Sequence, residues 1–250
     1  MEIEIQRDGL TLRGDLSGTD TLENETLVVM MHGFKGNIGY DESNMLFDTH
    51  NQLNAHGLPT LRINFNGCGN SDGEFKNMTV LNEIQDGIAI LEYVQKVIKP
   101  QHLYLVGHSQ GGVVASMLAA YYADQIEKLA LLAPAATLVT DAQAGICQGV
   151  SYDPHHVPDS IMLDGFEVGG AYFRTAQHLH IYETAQGYQG PVLLVHGLAD
   201  PVVSYEATKK YDQIYQHDKL HLIEGAGHNL MGDGDQRQEA KDLVTQFLLG

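Results

Sequence analysis

The pentapeptide Gly107-His108-Ser109-Gln110-Gly111 matches the G-x-S-x-G pattern of a nucleophilic serine. In such a nucleophile elbow, the serine adopts a strained conformation at a sharp turn from a strand into a helix, and small residues are needed two positions before and after it. Gly107 and Gly111 fill these positions. A glycine-rich turn that holds a serine by chance is the alternative, but an apolar run before the motif and helical spacing after it favour the elbow. The motif therefore predicts that Ser109 is a nucleophile at a helix N-terminus, where the helix dipole favours negative charge.

A serine hydroxyl needs a histidine base, and the histidine needs a carboxylate to hold it in the right tautomer. His228 follows the last apolar run of the chain in a glycine-rich segment, and Asp200 follows the run before it. The chain order Ser109, Asp200, His228 is the order found in the α/β-hydrolase fold. Alternatively, Asp200 caps a helix that begins near Ser204, and His228 lies on the surface. Position and order together favour a catalytic triad.

A tetrahedral intermediate carries an oxyanion that requires two hydrogen-bond donors. The residue after the nucleophile supplies one donor, which predicts the Gln110 backbone N–H. The loop after the apolar run 26–31 supplies the other, which predicts the Phe34 backbone N–H. His108 is more suitable as a support for the elbow than as the base, because the base must approach Ser109 from the opposite side.

The elements that must position these residues alternate between strand and helix patterns. Charged and apolar residues alternate over 2–6 and 10–16, which predicts an antiparallel hairpin at a sheet edge. Between the later strands lie helical patterns, such as the long helix whose apolar face is predicted to include Leu81, Ile84 and Ile88. The pattern predicts an α/β-hydrolase fold with a mostly parallel eight-stranded sheet and helices on both faces. The other predicted strands are 26–31, 59–65, 103–106, 129–132, 192–195 and 220–223.

The segment 134–189 interrupts this alternation and is rich in aromatic residues and histidines. It is too long for a simple loop, so we predict an inserted cap subdomain over 134–189, with a hydrolase core formed by 1–133 and 190–250.

Composition excludes several classes of partner. Subtracting 32 acidic from 14 basic residues gives a net charge of −18, which argues against binding to nucleic acid or to an anionic membrane. The N-terminal sequence lacks the features of a leader peptide, so we expect a soluble, cytoplasmic protein.

Cys68 and Cys147 are expected to be free thiols, and the paired histidines of the cap region show no metal-ligand spacing, so we expect neither a metal nor another cofactor. The sequence does not define an oligomeric state, and a homodimer is compatible with it.

Four segments together resemble the bacterial feruloyl (cinnamoyl) esterases of the α/β-hydrolase superfamily: the H-G-F loop, the G-H-S-Q-G-G elbow, the H-G-L-A-D acid loop and the G-A-G-H base loop. The length of the segment after the sixth strand strengthens the resemblance, which covers essentially the whole chain. It implies that Asp141, Gln148 and Tyr172 hydrogen-bond the phenolic hydroxyl of a hydroxycinnamoyl group.

Three functions remain open at this point. The resemblance implies a carboxylic ester hydrolase that releases ferulic, caffeic or p-coumaric acid from small-molecule esters through an acyl-enzyme. A short-chain carboxylesterase or monoacylglycerol lipase is the second, and a non-catalytic protein that binds a small molecule is the third.

Overall fold

The computed structural model describes residues 1–18 and 26–250. None of the helices in these residues is long and apolar enough to cross a membrane. The twelve strands of the described residues are β1 (Glu2–Arg7), β2 (Leu10–Ser17), β3 (Thr26–Met31), β4 (Thr60–Ile63), β5 (His102–His108), β6 (Ile126–Leu132), β7 (Ile146–Cys147), β8 (Val150–Ser151), β9 (Ser160–Leu163), β10 (Phe166–Gly169), β11 (Val192–Gly197) and β12 (Asp218–Ile223). The eight α-helices of the same residues are α1 (Met45–Ala55), α2 (Val80–Tyr93), α3 (Gln110–Tyr121), α4 (Leu138–Ala144), α5 (Gly170–Ala176), α6 (Ile181–Ala185), α7 (Glu206–Ile214) and α8 (Gln236–Leu249).

Eight of these strands form one sheet in the order β1-β2-β4-β3-β5-β6-β11-β12. The six strands from β4 to β12 in that order are parallel to one another, whereas β2 is antiparallel to both of its neighbours. The β1–β2 hairpin therefore forms one edge of the sheet, as its alternating pattern predicted. The prediction of a mostly parallel eight-stranded sheet is confirmed.

Apolar residues cover both faces of the sheet, which explains why the β3 sequence does not alternate. Val29 and Met31 belong to a cluster that also contains residues of α2 and α3. Val28 and Met30 belong to a second cluster, with residues of α1 and α8. Burial stabilises each of these side chains by roughly 25 cal/mol per Å² of apolar surface, whichever face it occupies. Helices therefore cover the sheet on both faces, as predicted.

Helix α2 begins with a capping box, in which the Thr79 hydroxyl oxygen accepts from the Asn82 amide and the Asn82 side chain accepts from the Thr79 amide. Leu81, which was predicted to face the core, is instead 45% exposed. The prediction is wrong because Val80, one position earlier, shares the buried stripe with Ile84.

Between β6 and β11 the chain leaves the sheet and forms two short hairpins and three short helices. The β7–β8 hairpin turns at Gln148 and Gly149, which both have positive φ, as a two-residue turn requires. The β9–β10 hairpin packs on the 3₁₀-helix Phe75–Asn77 through a contact between the rings of Phe75 and Phe166, whose centroids are 5.0 Å apart. The boundaries given above for a cap subdomain stay a prediction.

Candidate active site

Ser109 lies at the sharp turn between β5 and α3. Its φ of 57° and ψ of −124° form a combination that costs a residue with a side chain on the order of 1–3 kcal/mol. A Cβ at Gly107 would lie 2.4 Å from the Gly111 carbonyl oxygen, and a Cβ at Gly111 would lie 2.3 Å from the His32 carbonyl oxygen. Glycine is therefore required at both motif positions, because neighbouring backbone atoms leave no room for a Cβ.

The structure brings Ser109, Asp200 and His228 together beyond the carboxyl ends of β5, β11 and β12. The Nε2 atom of His228 lies 2.8 Å from Ser109 Oγ, and its Nδ1 atom lies 2.7 Å from Asp200 Oδ2. With the proton on Nδ1, His228 donates to Asp200 and accepts from the Ser109 hydroxyl. This geometry allows the imidazole to take the serine proton while Oγ attacks a carbonyl carbon.

The Asp200 side chain is almost fully buried and is held by further hydrogen bonds. The Val202 and Val203 amides donate to its Oδ1 at 2.8 and 3.0 Å, and His196 Nε2 lies 3.1 Å from its Oδ2. Burial alone would raise the pKa of Asp200, but the hydrogen bonds from His196 and His228 and the charge of His228 outweigh it and keep that pKa well below its usual range. Asp200 therefore remains ionised, as a group that stabilises an imidazolium must.

The loop after β3 packs directly against the elbow. A Cβ at Gly33 would lie only 2.8 Å from the Cβ of Ser109. Phe34 and Gln110 both line the cavity that reaches Ser109. The backbone segments that carry the two predicted oxyanion donors therefore lie beside the serine, while their role in binding an oxyanion stays a prediction.

Two buried histidines support this arrangement. His32 Nε2 accepts from the Phe65 amide at 3.1 Å, and His108 Nε2 lies 3.0 Å from the carbonyl oxygen of His228. Burial lowers the pKa of His32 and of His108 to about 4, so both are neutral at neutral pH. Neutral His108 can donate to the His228 backbone, which agrees with its interpretation as a support for the elbow.

An apolar cavity, which we call the aromatic slot, reaches Ser109 from beneath the elements that follow β6. The rings of Phe34 and Tyr172 have centroids 5.1 Å apart, and those of Tyr172 and Phe173 have centroids 5.3 Å apart. The empty volume of the slot, including its opening to solvent, is about 550 Å³. Its aliphatic lining residues are Ala135, Leu138, Ala142, Ile146, Val202 and Val203.

The three residues expected to contact a hydroxycinnamoyl group, Asp141, Gln148 and Tyr172, all line the aromatic slot. Asp141 is half-buried, and burial raises its pKa. Gln148 is exposed at the tip of the β7–β8 hairpin. The Tyr172 hydroxyl donates to Gln110 Oε1 at 2.8 Å, so it already has a partner within the protein. Contact of these residues with a substrate stays a prediction.

A second cavity, which we call the polar cleft, also reaches Ser109. It is lined by His228 and by polar residues of the loop after β3 and of the loop after β12. Ser109 lies where the slot and the cleft meet, because both are lined by it. The polar residues of the cleft include Asn37, Ser43, Asn44 and Asn229.

Sequence reasoning missed a buried carboxyl group next to the elbow. Glu83 in α2 is 1% exposed, and its Oε2 atom accepts from Gln110 Nε2 at 2.7 Å. Burial raises the pKa of Glu83 to about 8, although the hydrogen bond from Gln110 lowers it. The available signal was its spacing, since Glu83 lies three residues after buried Val80 and just before buried Ile84.

Cys68 and Cys147 are free thiols in the structure. Burial raises the pKa of Cys147 to about 11, so this thiol in the slot lining is uncharged at neutral pH. Within residues 1–18 and 26–250, no group of three or more histidine, cysteine, aspartate or glutamate side chains is arranged to hold a metal ion.

The fold and the arrangement around Ser109 define a class of protein. Residues 23–152, just over half of the chain, match the family described as serine aminopeptidase, S33. The chain belongs to this family, and it is a carboxylic ester hydrolase of the α/β-hydrolase superfamily.

Solved structures of Est1E from Butyrivibrio proteoclasticus are similar to this chain over nearly its full length. The structure with ferulic acid bound is 32% identical, covers 99% of this chain and 98% of that chain, and has a TM-score of 0.92. Another Est1E structure is 30% identical, covers 99% of this chain and 97% of that chain, and has a TM-score of 0.87. The resemblance to the bacterial feruloyl esterases is thereby confirmed.

A curated relative is more distant. Lysophosphatidylserine lipase ABHD12 of Danio rerio is 24% identical over an alignment of 200 residues, and the alignment covers 78% of this chain and 48% of that protein. The chain thus spans about half the length of this relative, and no activity follows from the match alone.

Proposed function

We propose that the protein hydrolyses esters of hydroxycinnamic acids, such as ferulic, caffeic and p-coumaric acid. The observation that carries the proposal is the aromatic slot, which begins at Ser109 and has the rings of Phe34 and Tyr172 in its wall. A flat acyl group can pack against such rings, and Asp141 in the lining provides a polar partner for a phenolic hydroxyl. The similarity to Est1E, which has been determined with ferulic acid bound, supports the same acyl class.

In the proposed mechanism, Ser109 Oγ attacks the ester carbonyl carbon as His228 Nε2 takes its proton. The Phe34 and Gln110 amides stabilise the oxyanion of the tetrahedral intermediate. The C–O bond to the alcohol then breaks, and His228 returns the proton to the departing oxygen. Water attacks the acyl-enzyme by the same route, so that the acid is released and Ser109 is restored.

The polar cleft is the proposed place for the alcohol half of the ester. Its asparagine and serine side chains can hydrogen-bond the hydroxyl groups of a sugar or of another polar alcohol. Cytoplasmic location and the lack of nucleic-acid and membrane partners are parts of the same proposal that rest on the sequence alone, and the sequence is compatible with a homodimer without defining one.

An esterase or monoacylglycerol lipase for aliphatic acyl chains is the second candidate. The aliphatic part of the slot lining, with Leu138, Ala142 and Ile146, favours it, and the ABHD12 match is in keeping with it. The two candidates differ in which acyl group fills the slot.

The test is a comparison of kcat/KM for ethyl ferulate, ethyl butyrate and a monoacylglycerol, measured with the purified protein. We expect the highest value for ethyl ferulate. A preference for either aliphatic ester would replace the proposal by the second candidate. Failure of a serine-directed phosphonate to label Ser109 would instead favour a non-catalytic binding protein.

A further inference from the structure

A buried chain of hydrogen bonds joins three elements of the fold beside the aromatic slot. Gln110 Nε2 donates to Glu83 Oε2 at 2.7 Å, and the Tyr172 hydroxyl donates to Gln110 Oε1 at 2.8 Å. Glu83, Gln110 and Tyr172 are 1%, 1% and 5% exposed. The chain thus connects α2 beneath the elbow, the first residue of α3 and the helix α5 that follows the two hairpins.

Glu83 is an unfavourable residue for its position unless the carboxyl group serves the site. Its Oε1 atom finds no hydrogen-bond partner in the part of the chain that the structure describes. Burial of such a group is costly, and an apolar side chain of similar size would pack there at lower cost. The candidate triad does not use Glu83, because the hydrogen bonds of Ser109, Asp200 and His228 go elsewhere.

We propose that Glu83 is a positioning residue for the aromatic slot, because it fixes the Gln110 side-chain amide, which in turn holds Tyr172 in the slot wall. The inference rests on the proposed function and deepens it. A carboxyl oxygen accepts from the amide nitrogen, which leaves the amide oxygen directed at the Tyr172 hydroxyl. The hydrogen bonds therefore specify the orientation of the amide as well as its position.

The expected consequence is a change of acyl preference rather than a general loss of activity. Without Glu83 the Gln110 amide nitrogen keeps only a weak acceptor, Met78 Sδ at 3.6 Å, and the amide can rotate, so Tyr172 loses a fixed partner. The Tyr172 ring packs against Phe34 at 5.1 Å and forms part of the slot wall. A cinnamoyl group fills the slot and contacts the part of the wall that Tyr172 forms, whereas a butyryl group is too short to reach it.

The first experiment measures kcat and KM of Glu83→Leu with ethyl ferulate, ethyl cinnamate and ethyl butyrate. We expect KM for both aromatic esters to rise roughly 5- to 150-fold, because a buried partner is lost, and KM for ethyl butyrate to change by less than about twofold. Glu83→Gln keeps an oxygen that accepts from Gln110, so it should restore KM for the aromatic esters. Unchanged aromatic KM values in folded Glu83→Leu would overturn the inference.

Asp86→Asn is the matched control. Asp86 is a fully buried carboxyl group on the same helix, but it is held by Arg7 at 2.7 Å and by Asn66 at 2.6 Å. This variant should lower the melting temperature and leave the ratio of aromatic to aliphatic kcat/KM unchanged. A shift of that ratio equal to the shift in Glu83→Leu would show that any damage to α2 alters the slot, and would overturn the inference.

Tyr172→Phe tests the other end of the chain and is informative even if Glu83→Leu does not fold. Ethyl cinnamate has no phenolic hydroxyl, so loss of wall positioning predicts equal defects for ethyl cinnamate and ethyl ferulate. A defect confined to ethyl ferulate would mean that Tyr172 acts by direct contact with the phenol, which would overturn the inference. The double variant Glu83→Leu/Tyr172→Phe should show a defect in KM for the aromatic esters no larger than that of the more impaired single variant. Additive losses would contradict the inference that both residues act through one chain of hydrogen bonds.

Different results would show that the inference about Glu83 fails and that the proposed function fails. That function fails if the wild-type protein does not prefer ethyl ferulate to ethyl butyrate. The role of Glu83 fails if the wild-type preference exists and Glu83→Leu retains it.

Discussion

The two cavities that meet at Ser109 are built in different ways. The aromatic slot has aromatic rings and aliphatic side chains in its wall, and a buried hydrogen bond from Tyr172 to Gln110 holds part of that wall. In the polar cleft, the Asn37 side chain accepts from the Gly39 amide at 2.8 Å, and the Asn44 side chain accepts from the Leu46 amide at the start of α1 at 2.9 Å. Asn37 and Asn44 thus use their side-chain oxygens to stabilise their own loop.

This difference has a consequence for selectivity under the proposed function. A slot of defined shape discriminates between acyl groups, because a misfit leaves apolar surface or a polar group uncompensated. A cleft whose polar groups already have partners discriminates weakly between alcohols. We therefore expect strict selection of the acid half of the ester and loose selection of the alcohol half.

Removal of the nucleophile should have the largest effect, and it should lower kcat equally whichever acyl group occupies the aromatic slot. Ser109→Ala should lower kcat on the order of a million-fold for ethyl ferulate and ethyl butyrate alike, because the triad acts as a unit. The measurement is turnover of both esters by protein whose circular dichroism matches the wild type. Near-normal turnover by the folded variant, free of wild-type contamination, would disprove the mechanism.

The base and the acid should come next in effect. His228→Gln and Asp200→Asn should each lower kcat on the order of ten-thousand-fold for either ester. Asp200 stays ionised because its pKa is held well below its usual range, so protonation of Asp200 should not contribute to the pH dependence of wild-type kcat/KM. A pH profile of kcat/KM for all three proteins is the measurement, and full activity of either variant would mean that another group acts as the base or the acid.

Asp141→Ala should have a smaller effect on kcat/KM, and this effect should be limited to esters whose acyl group reaches the end of the aromatic slot. If Asp141 is a partner of the phenolic hydroxyl, its loss leaves a buried polar group unsatisfied, which costs about 1–3 kcal/mol, or roughly a 5- to 150-fold fall in kcat/KM for ethyl ferulate. Ethyl butyrate should react nearly as before. A parallel fall for both esters would indicate damage to the fold or to the triad, and no fall for either would remove Asp141 from the binding site.

A further prediction concerns stability, not turnover, and involves the buried support of the slot. The pKa of Glu83 is raised from 4.5 to about 8 in the folded protein, so the unfolded chain releases this proton at lower pH than the folded one. Wild-type stability should therefore fall, relative to Glu83→Gln, as pH rises from about 5 to about 8. Urea unfolding of both proteins across this range is the measurement. Parallel stability curves would show that the folded state does not retain the proton.

The fold was predictable because its signals are local and repeated. The run that forms β3 has apolar side chains at every position from Leu27 to Met31, which only a strand covered on both faces accommodates. Ser109, Asp200 and His228 each follow an apolar run closely, so parallel strands had to bring them to one edge. The error at Leu81 arose because a helical stripe can be assigned one position too late when Val80 and Leu81 are both apolar.

The supports of the site were less accessible to sequence reasoning. The hydrogen bond between Tyr172 and Gln110 joins residues 62 positions apart and depends on the side-chain rotamer of each. Glu83 had a local signal in its helical spacing, but the partner that makes the burial acceptable lies 27 positions away. Contacts of this kind follow from the packed structure, because no periodicity encodes them.

The placement of His228 beyond β12 also bears on how the protein becomes active as it folds. Ser109 and the base are 119 positions apart, and β12 reaches the sheet only by pairing with β11. Formation of this contact closes a long loop at a cost in chain entropy, so we expect it to be a late event in folding. A partly folded chain with β5 and α3 in place would have a formed elbow but an inert serine. Reactivity toward a serine-directed phosphonate during refolding would therefore report the docking of the last strand.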